Sequence, residues 1–457
     1  MLWEVIKEKM LQNPLQKVYE GNTYMTFEEI VVYVEDFAQN LDKKCYAILC
    51  RSQIFTGISV LACLAAGVTA VPLSYKYGYN HLKSIVDYIN PPNVISDIGY
   101  KLHIVDTDIG EYRYPKCSPA FIMCTSGSTG TPKGAMLSEQ NIYSNILGIE
   151  KYFNIDNLDT ILISRPIYHC AVLTGEFLYS LYRGVAICFN DCSYNPSELV
   201  NTIVENHITV FCSTPTVFTM LSKFSLAEKA AKQLKTLVIS GEILHKNSAI
   251  QISRIFNSHT IHHVYGLTEA SPRVGYLSPH LFQKSGNKID KFLDGLSIRI
   301  VDEIGNDVSI GNKGELIVKG DSIMMGYYKQ KTSQKSNIED GWLHTNDIVV
   351  RNNDGSIEFV GRKDDLIIRA GMNIYPSEIE NILKNDSRVN DVVAYAITDK
   401  QIGVQVGINI SGDFSDKNEV FVLCKESLPS YAIPIHIELH STIPRNGSCK
   451  AIRNSTK

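Results

Sequence analysis

Residues 119–137 have the sequence PAFIMCTSGSTGTPKGAML, in which a strand-like apolar run leads into a loop rich in glycine and hydroxyl residues. Glycines let backbone N–H groups approach phosphate oxygens closely, hydroxyl side chains add donors, and a lysine adds a full positive charge. A capped helix is predicted to begin near Ser138, directly after this stretch. The stretch therefore predicts an anion-binding loop, and its candidate binding residues are Thr125, Ser126, Gly127, Ser128, Thr129, Gly130 and Lys133.

Two common phosphate-binding motifs do not fit this loop. A P-loop has glycine directly before its lysine and serine or threonine directly after it, whereas Pro132 and Gly134 occupy those places. A dinucleotide fingerprint has the pattern GxGxxG, and residues 127–130 lack its first glycine. An ordinary surface turn is disfavoured because such turns seldom concentrate hydroxyl residues, glycines and a lysine so densely.

On both sides of this loop, short apolar runs alternate with helix-like stretches. Buried strands that alternate with helices indicate βαβ units and a mostly parallel sheet covered on both faces, so we predict an α/β fold. The predicted strands cover 45–50, 68–73 and 208–212, and the predicted helices cover 57–66, 139–153 and 197–206.

The pattern changes in the second half of the chain. Alternation at period two in residues 297–320, around Gly-Asn and Asn-Lys-Gly turns, predicts antiparallel hairpins. A smaller mixed pattern follows, with a helix that has Pro376 in its first turn and strands near 392–397 and 404–410. A polar stretch at 362–365 separates the two patterns. We therefore predict two domains, which cover residues 1–362 and 363–457.

Composition excludes several classes of protein. The 457 residues contain 44 basic and 48 acidic side chains, a net charge of −4 that favours no nucleic-acid partner. The longest mostly apolar run, 58–73, is short of the ~20 residues that a membrane-spanning helix needs. The N-terminal sequence MLWEVIKEKM does not resemble a signal peptide, and the 11 cysteines include no CxxC pair. We expect a globular cytoplasmic protein without a membrane span.

The segment TSGSTGTPKG (125–134) resembles the signature loop of the adenylate-forming enzymes, which include acyl- and aryl-CoA synthetases, peptide-synthetase adenylation domains and luciferases. Further motifs in the family's order extend this resemblance from Tyr24 to Lys450. It implies a large N-terminal domain of βα subdomains with a small antiparallel β subdomain. A small, mobile α+β C-terminal domain would follow. A stand-alone acid–thiol ligase is the member that the chain resembles most.

The segment VYGLTEAS (264–271) resembles the family's second core motif. The resemblance implies that Glu269 holds Mg²⁺ against phosphate oxygens, with the oxygen ligand that this ion prefers. It also implies that Thr268 donates to the α-phosphate and that Tyr265 provides a flat face for adenine. His263 and Gly266 belong to the same nucleotide-binding segment. In isolation, such a string is more often a turn with a helix cap.

Two more segments resemble nucleotide-contacting motifs. In GWLHTNDIVV (341–350), Asp347 corresponds to the aspartate that binds the ribose hydroxyls, and the family usually has glycine where this chain has Asn346. In GRKDD (361–365), Arg362 corresponds to a ribose- or phosphate-contacting arginine. The hinge of the C-terminal domain corresponds to Asp364. The segment SGEIL resembles the loop that lines the adenine and acyl sites, with its residues nearest the nucleotide being Gly241 and Glu242.

The remaining motifs concern the chemistry of the acyl group. IPRNGSCKAIR (443–453) resembles the motif that carries the catalytic lysine, here Lys450, although Cys449 stands where glycine is usual. RPIYHC resembles the segment whose histidine, His169, borders the acyl pocket. The resemblance also places a pantetheine channel beside the segment that begins at Gly371 and includes Asn373.

Together these motifs imply a two-step ligase that uses ATP and Mg²⁺. The carboxylate of a small acid would attack the α-phosphate, release pyrophosphate and form an acyl-adenylate, and a pantetheine thiol would then take the acyl group. The thiol would belong to coenzyme A or to a separate acyl carrier protein, because we expect no fused carrier after Lys450. Alternatives left open are an amino-acid adenylation enzyme, a non-catalytic acyl- or nucleotide-binding relative, and a luciferase-like oxygenase.

Overall fold

The computed structural model describes residues 2–42, 44–99, 101–107, 118–126, 132–190, 195–285, 288–330, 337–369, 372–399 and 403–443. In these ranges the chain forms three sheets of six or more strands, flanked by helices, and two small C-terminal sheets. No helix in the described ranges combines the length and the apolar character that crossing a membrane requires.

The elements that precede Ser138 form the first βα layer. They are α1 (Leu2–Leu11), β1 (Lys17–Glu20), β2 (Thr23–Thr26), α2 (Phe27–Ala38), β3 (Cys45–Ile48), α3 (Gln53–Ala66), β4 (Thr69–Pro72), α4 (Tyr79–Ile89), β5 (Asn93–Ile98), β6 (Lys101–Asp106), β7 (Phe121–Ser126) and β8 (Pro132–Leu137).

The elements that follow Ser138 form the second βα layer. They are α5 (Glu139–Glu150), β9 (Thr160–Ile163), α6 (Cys170–Val172), a π-helical turn (Leu173–Leu178), α7 (Tyr179–Arg183), β10 (Ala186–Phe189), α8 (Pro196–Glu205), β11 (Val210–Ser213), α9 (Pro215–Lys223), α10 (Ala227–Gln233), β12 (Thr236–Ser240), α11 (Lys246–Ile255), β13 (Thr260–Gly266), β14 (Arg273–Leu277), α12 (Phe282–Ser285), β15 (Lys288–Ile289) and β16 (Lys291–Phe292).

The remaining elements are mostly strands. They are β17 (Ser297–Val301), β18 (Lys313–Lys319), β19 (Gly326–Tyr327), β20 (Ile338–Glu339), β21 (Trp342–Arg351), β22 (Ile357–Arg362), β23 (Ile367–Arg369), β24 (Met372–Ile374), α13 (Pro376–Leu383), β25 (Val389–Asp399), β26 (Gly403–Gly412), α14 (Lys417–Ser427) and β27 (His436–Leu439).

Two large sheets carry the predicted parallel strands. The nine-stranded sheet has the order β16-β14-β13-β12-β11-β9-β10-β1-β2 and is parallel from β13 to β1. The seven-stranded sheet has the order β19-β8-β7-β4-β3-β5-β6 and is parallel from β7 to β5. Antiparallel strands occupy both edges of each sheet. Helices cover the inner strands, whose residues are almost all buried, so the predicted α/β fold class is confirmed.

The structure refines two local predictions. Ser138 caps α5 as expected, through a capping box with Asn141, but β8 lies between the predicted loop and this helix. Residues 297–320 form a single antiparallel hairpin of β17 and β18. The connection between these two strands contains one isolated bridge, between Val301 and Asp307, and no further strand. Alternation at period two also occurs in a turn-rich connection, which is why the sequence suggested more than one hairpin.

A separate apolar core lies beyond the 3₁₀ turn Lys363–Asp365. Its buried members come from β23 to α14 and the turn that follows, between Ile367 and Ala432. These side chains pack α13 and α14 on the sheet of β25, β26 and β27. This core takes no residue from before Ile367, whereas a small cluster of Ile348, Val360 and Tyr375 joins the two sides of residues 362–365. The domain boundary at 362–365 stays a prediction.

Two buried histidines and the half-buried His245 make the folded state sensitive to acid. Burial lowers the pKa of His262 and His263 to about 4, and burial together with the charge of Lys384 lowers the pKa of His245 to about 3. In the unfolded chain these histidines take up protons below about pH 6.5, whereas in the folded protein they stay neutral to a much lower pH. The contribution of these neutral histidines to the free energy of unfolding is therefore fully present above pH 6.5 and decreases as the pH falls.

We expect the free energy of unfolding to fall by roughly 2 kcal/mol per buried histidine between about pH 6.5 and about pH 5. Urea titrations across this window measure the change, above the range in which most carboxylates titrate. Replacing the exposed His280 with asparagine is the control and should leave the pH dependence unchanged. A free energy of unfolding that stays constant across this window would contradict the prediction.

Candidate active site at the strand ends

In each of the two large sheets, the carboxyl ends of the parallel strands lie at one edge. In the seven-stranded sheet β7 ends at Ser126, and in the nine-stranded sheet β11 ends at Ser213, β12 at Ser240 and β13 at Gly266. Ligands of open α/β sheets bind outside the carboxyl ends of the strands. The predicted anion-binding loop follows β7, and the predicted residues Gly241 and Glu269 follow β12 and β13.

The predicted anion-binding loop connects β7 and β8, which pair as an antiparallel hairpin. Thr125 and Ser126 are the last two residues of β7, and Lys133 is the second residue of β8. The hairpin therefore contains three of the predicted residues. The Nζ atom of Lys133 lies 5.5 Å from the centre of the Tyr327 ring. The predicted residues Gly127, Ser128, Thr129 and Gly130 lie outside the described residues.

Glu269 lies in the 3₁₀ turn Thr268–Ala270, which follows β13. Its Oε1 atom accepts a hydrogen bond of 2.5 Å from the Tyr327 hydroxyl, and its backbone carbonyl accepts one of 2.9 Å from the N–H of Met324. Burial and the adjacent Glu269 carboxylate raise the pKa of Tyr327 far above its ordinary value, so this phenol remains a donor. Tyr327 therefore joins the predicted metal ligand to the side of the hairpin that carries Lys133.

The backbone between Gly266 and Ser271 is held in a tight turn. A Cβ atom on Gly266 would lie 2.2 Å from the carbonyl oxygen of Pro272, so only glycine permits this approach of β13 to β14. The carbonyl of Thr268 accepts a 3.9 Å hydrogen bond from the thiol of Cys170. This contact fixes the turn that holds Thr268 against the segment that follows the predicted acyl-pocket residue His169.

A second group of predicted residues forms a hydrogen-bonded chain. The hydroxyl of Tyr265 donates to Oδ2 of Asp347, and Nη1 of Arg362 lies 3.3 Å from Oδ1 of the same carboxylate. The side chain of Arg362 is half exposed, and partial desolvation opposes its charge, but the surrounding acidic groups, of which Asp347 contributes most, raise its pKa above the ordinary value. The Tyr265 ring contacts the Phe359 ring, with 4.4 Å between the ring centres.

Asn346 explains how this chain dispenses with the glycine that is usual before the ribose-binding aspartate. Its φ angle is +59°, which lies in the left-handed region. Asparagine is among the few residues other than glycine that adopt this region readily. The N–H of Asn346 also donates a 3.1 Å hydrogen bond to Oε1 of Glu315. The departure from the family pattern thus preserves the backbone conformation that presents Asp347.

The other predicted nucleotide contacts are placed differently. Gly241 follows β12 with a φ angle of +93°, and a Cβ atom there would lie 3.6 Å from Nη1 of Arg165. The carboxylate of Glu242 accepts hydrogen bonds from the N–H and the hydroxyl of Thr216, at 3.3 and 2.7 Å. His263 is only 5% exposed and hydrogen-bonds the backbone of Lys288. Among these three, Gly241 alone presents an open surface at the strand end.

His169 lies where helix α6 begins, and its carbonyl oxygen accepts the N–H groups of Val172 and Leu173. Its imidazole packs against Tyr168, with 4.3 Å between the ring centres. Tyr168 also lines a cavity of about 220 Å³, at the carboxyl ends of β1, β3, β4, β9 and β10. The wall of this cavity is mostly apolar, and the polar side chains in it include Glu20, Arg165 and Asn190.

The residues predicted for domain rotation and for the thiol channel lie on the C-terminal side. Asp364 is exposed within the 3₁₀ turn that connects β22 to the C-terminal core. Asn373 is exposed on β24, opposite Ile368 of β23. The predicted residues Gly371 and Lys450 lie outside the described residues.

Sequence reasoning missed two aromatic residues that support the site. Tyr327 hydrogen-bonds Glu269 and lies beside Lys133, and Phe359 packs against Tyr265. Both belong to strands whose alternation gives no sign of such contacts, since the partners come from different sheets. Among the described residues, no three His, Cys, Asp or Glu side chains cluster as in a resident metal site. A single carboxylate that binds Mg²⁺ together with phosphate oxygens fits this arrangement.

Comparison with known proteins agrees with this architecture. The sequence model of the AMP-binding enzyme family matches residues 111–328. A long-chain-fatty-acid–CoA ligase of Salmonella typhimurium is 27% identical over 444 residues, which cover 93% of this chain and 76% of that enzyme. A 2-succinylbenzoate–CoA ligase of Bacillus licheniformis is 28% identical over 429 residues, or 89% of this chain and 88% of that enzyme.

The fold is also that of a solved enzyme. The structure of O-succinylbenzoate coenzyme A synthetase from Bacillus subtilis, in complex with ATP and magnesium, superposes with a TM-score of 0.84 at 23% identity. The match covers 98% of this chain and 98% of that one. With the family match and the motifs in order along the chain, these similarities confirm the resemblance. Residues 111–328 match the AMP-binding enzyme family, and most of the chain is similar to acyl- and aryl-CoA ligases.

Proposed function

We propose that this protein is an AMP-forming ligase that joins a carboxylic acid to the thiol of coenzyme A. The observation that carries the proposal is the convergence of Lys133, Glu269 and Arg362, which lie in or just after strands of three different sheets. Glu269 is hydrogen-bonded to Tyr327, whose ring lies beside Lys133, and it contributes to the field that raises the pKa of Arg362. One carboxylate between two cationic groups suits a magnesium–phosphate complex.

In this proposal the described residues position the nucleotide. Asp347, held by Tyr265 and Arg362, would accept hydrogen bonds from the ribose hydroxyls, and the Tyr265 ring would lie against adenine. Lys133 and the hairpin that contains it would bind the β- and γ-phosphates. Glu269 would hold Mg²⁺, which neutralises phosphate charge when it is bound. These interactions would place the α-phosphate near Thr268, on the side of the acid.

Lys450 would supply the charge that bridges the carboxylate of the acid and the α-phosphate. Charge builds on phosphorus as the carboxylate attacks, and a preorganised cation stabilises it more than water does. In the second step the C-terminal domain would rotate at Asp364, so that Gly371 and Asn373 line a channel for the pantetheine thiol. The thiol would then attack the acyl carbonyl and release AMP.

Coenzyme A is the acceptor that we propose, because the similar enzymes in the comparison are named as CoA ligases. Their names do not select one acid, since one uses a long-chain fatty acid and the other 2-succinylbenzoate. We place the reaction in the cytoplasm. The eight cysteines in the described ranges are all free thiols, which suits a reducing compartment.

The function is tested by a panel of carboxylic acids scored for pyrophosphate release in the presence of ATP and Mg²⁺. Hydroxylamine serves as a generic acceptor and coenzyme A as the proposed one. We expect AMP and pyrophosphate only when a suitable acid is present, and a thioester only when coenzyme A is also added. Formation of ADP, or pyrophosphate release that no acid stimulates, would refute the proposal.

The hinge is tested by replacing Asp364 with proline. Proline fixes φ near −65° and disfavours helical conformation at Lys363, so the rotation should stop. Adenylate formation should remain, whereas thioester formation should fall by at least about tenfold. Asp364→Ala removes the same carboxylate without restricting the backbone, so it should retain both half-reactions. Unchanged thioester turnover by Asp364→Pro would place the rotation at another residue.

A further inference from the structure

Three charged side chains lie below the strand ends and have no role in the nucleotide chemistry described above. Nη2 of Arg165 is 2.5 Å from Oε1 of Glu176, whose side chain is completely buried. Arg273, at the start of β14, is 2% exposed and lies close enough to Glu176 to lower its pKa against the larger effect of burial. We refer to Arg165, Glu176 and Arg273 as the buried charged cluster.

Two polar atoms of this cluster lack partners among the described residues. Neither Oε2 of Glu176 nor Nε of Arg273 has a hydrogen-bond partner there, although both atoms are fully buried. Buried polar groups of native proteins are nearly always satisfied, so two unsatisfied groups on neighbouring side chains indicate a missing ligand or water.

The cluster favours an anionic ligand. Arg273 carries a positive charge, and its buried Nε–H is a donor that no described residue accepts. Burial raises the pKa of Glu176, which weakens the negative charge beside it. Guanidinium groups bind carboxylates through charge-assisted hydrogen bonds, so the group that best satisfies this donor is an anion.

Local backbone structure is adapted to hold Arg273 in this position. Glu176 and Gly175 lie in the π-helical turn Leu173–Leu178, and turns of this kind are frequent at functional sites. A Cβ atom on Gly175 would lie 2.9 Å from both Nε and Nη2 of Arg273. Glycine at this position therefore makes room for the guanidinium group.

The cluster adjoins the proposed acid site. Nη2 of Arg165 lies 3.4 Å from the hydroxyl of Ser240, directly before Gly241. Cys170 connects the cluster to Thr268. Burial and the charge of Glu269 raise the pKa of the Cys170 thiol and the charge of Arg273 lowers it, and the thiol contacts the Thr268 carbonyl. An acid whose reacting carboxylate lies near Thr268 would extend its other end toward this cluster.

We propose that the buried charged cluster, through Arg273, binds a second carboxylate of the acid substrate, so that the enzyme activates a dicarboxylic acid. This inference rests on the ligase function proposed above and adds the class of its substrate. The second carboxylate would accept hydrogen bonds from the Arg273 guanidinium, including the Nε–H that no described residue accepts.

The inference is tested with straight-chain and aromatic acids, each supplied as the monocarboxylic acid, as the acid with a terminal hydroxyl and as the dicarboxylic acid. We expect the best dicarboxylic acid to exceed its matched monocarboxylic acid in kcat/KM by about 100-fold or more, because a site built around polar groups rejects analogues that leave them unpaired. In Arg273→Met this ratio should fall to about one or below, with the KM for ATP unchanged.

Gly175→Ala provides a second variant that keeps every charge. Its methyl group would displace the Arg273 guanidinium, so the preference for dicarboxylic acids should decrease. Melting temperatures of both variants show whether they remain folded, and the wild-type panel is informative even if they do not. A wild-type enzyme that prefers monocarboxylic or hydroxy acids would overturn the inference, as would an unchanged ratio in folded Arg273→Met. If no acid releases pyrophosphate, it is the ligase function itself that fails.

Discussion

Replacing Lys450 with alanine is expected to lower acid-dependent pyrophosphate exchange by about 10²- to 10³-fold, the usual effect of losing one charge-stabilising contact in a transition state. The reason is that the lysine would neutralise charge only while the carboxylate attacks the α-phosphate. Thioester formation from a supplied acyl-adenylate should therefore continue at the wild-type rate. Quench-flow measurement of the two half-reactions gives both numbers from the same preparation.

Lys457→Ala is the matched control for this experiment, because it removes the same charge from the same C-terminal segment. It should leave both half-reactions unchanged. Equal losses in both half-reactions of Lys450→Ala would show that this lysine does not act in the first step alone, as we propose. A loss that appears in Lys457→Ala as well would indicate a general effect of charge.

Replacing Glu269 with glutamine is expected to raise the Mg²⁺ concentration at half-maximal pyrophosphate exchange by about 100-fold, a typical effect of disturbing a metal site. Glutamine preserves the shape of the side chain and an oxygen that can accept the hydrogen bond from Tyr327. It removes the negative charge that a hard divalent cation requires. A magnesium titration of the folded variant measures the shift.

Tyr327→Phe separates this role from a structural one. That variant removes the hydrogen bond to Glu269 but keeps the carboxylate charge, so the magnesium midpoint should move much less than in Glu269→Gln. If Glu269 served only to stabilise its 3₁₀ turn, Glu269→Gln would instead lower the melting temperature with an unchanged midpoint. That outcome would reject the proposed ligand role.

The fold class and the family were predictable because they depend on local patterns. Buried strands such as β3 and β11 are short and mostly apolar, and the helices between them begin at recognisable caps such as Ser138. The strand β8 was not predicted, because a strand of six residues that contains proline and glycine has a weak local signal. Its pairing with β7, which is a long-range property of the sheet, is what stabilises it.

The candidate site divides in the same way. The sequence predicted Glu269, Asp347 and Arg362 through motif order, and the structure brings Asp347 and Arg362 together across the β21–β22 pair. It did not predict the hydrogen bond of Tyr327 to Glu269, since these residues are 58 positions apart. Motifs record residue types at fixed spacing, whereas contacts between separate strands follow from packing.

The sequence by itself determined the α/β class, the resemblance to the adenylate-forming family and the order of its motifs, because each of these depends on short stretches of neighbouring residues. Only the tertiary structure decided the surroundings of the site. Tyr327 beside Glu269, Asn346 in a left-handed conformation and Arg273 buried against the π-helical turn are examples. The physical reason is that burial, unpaired hydrogen-bonding atoms and charge balance depend on which distant segments pack together, and local periodicity carries no information about those partners.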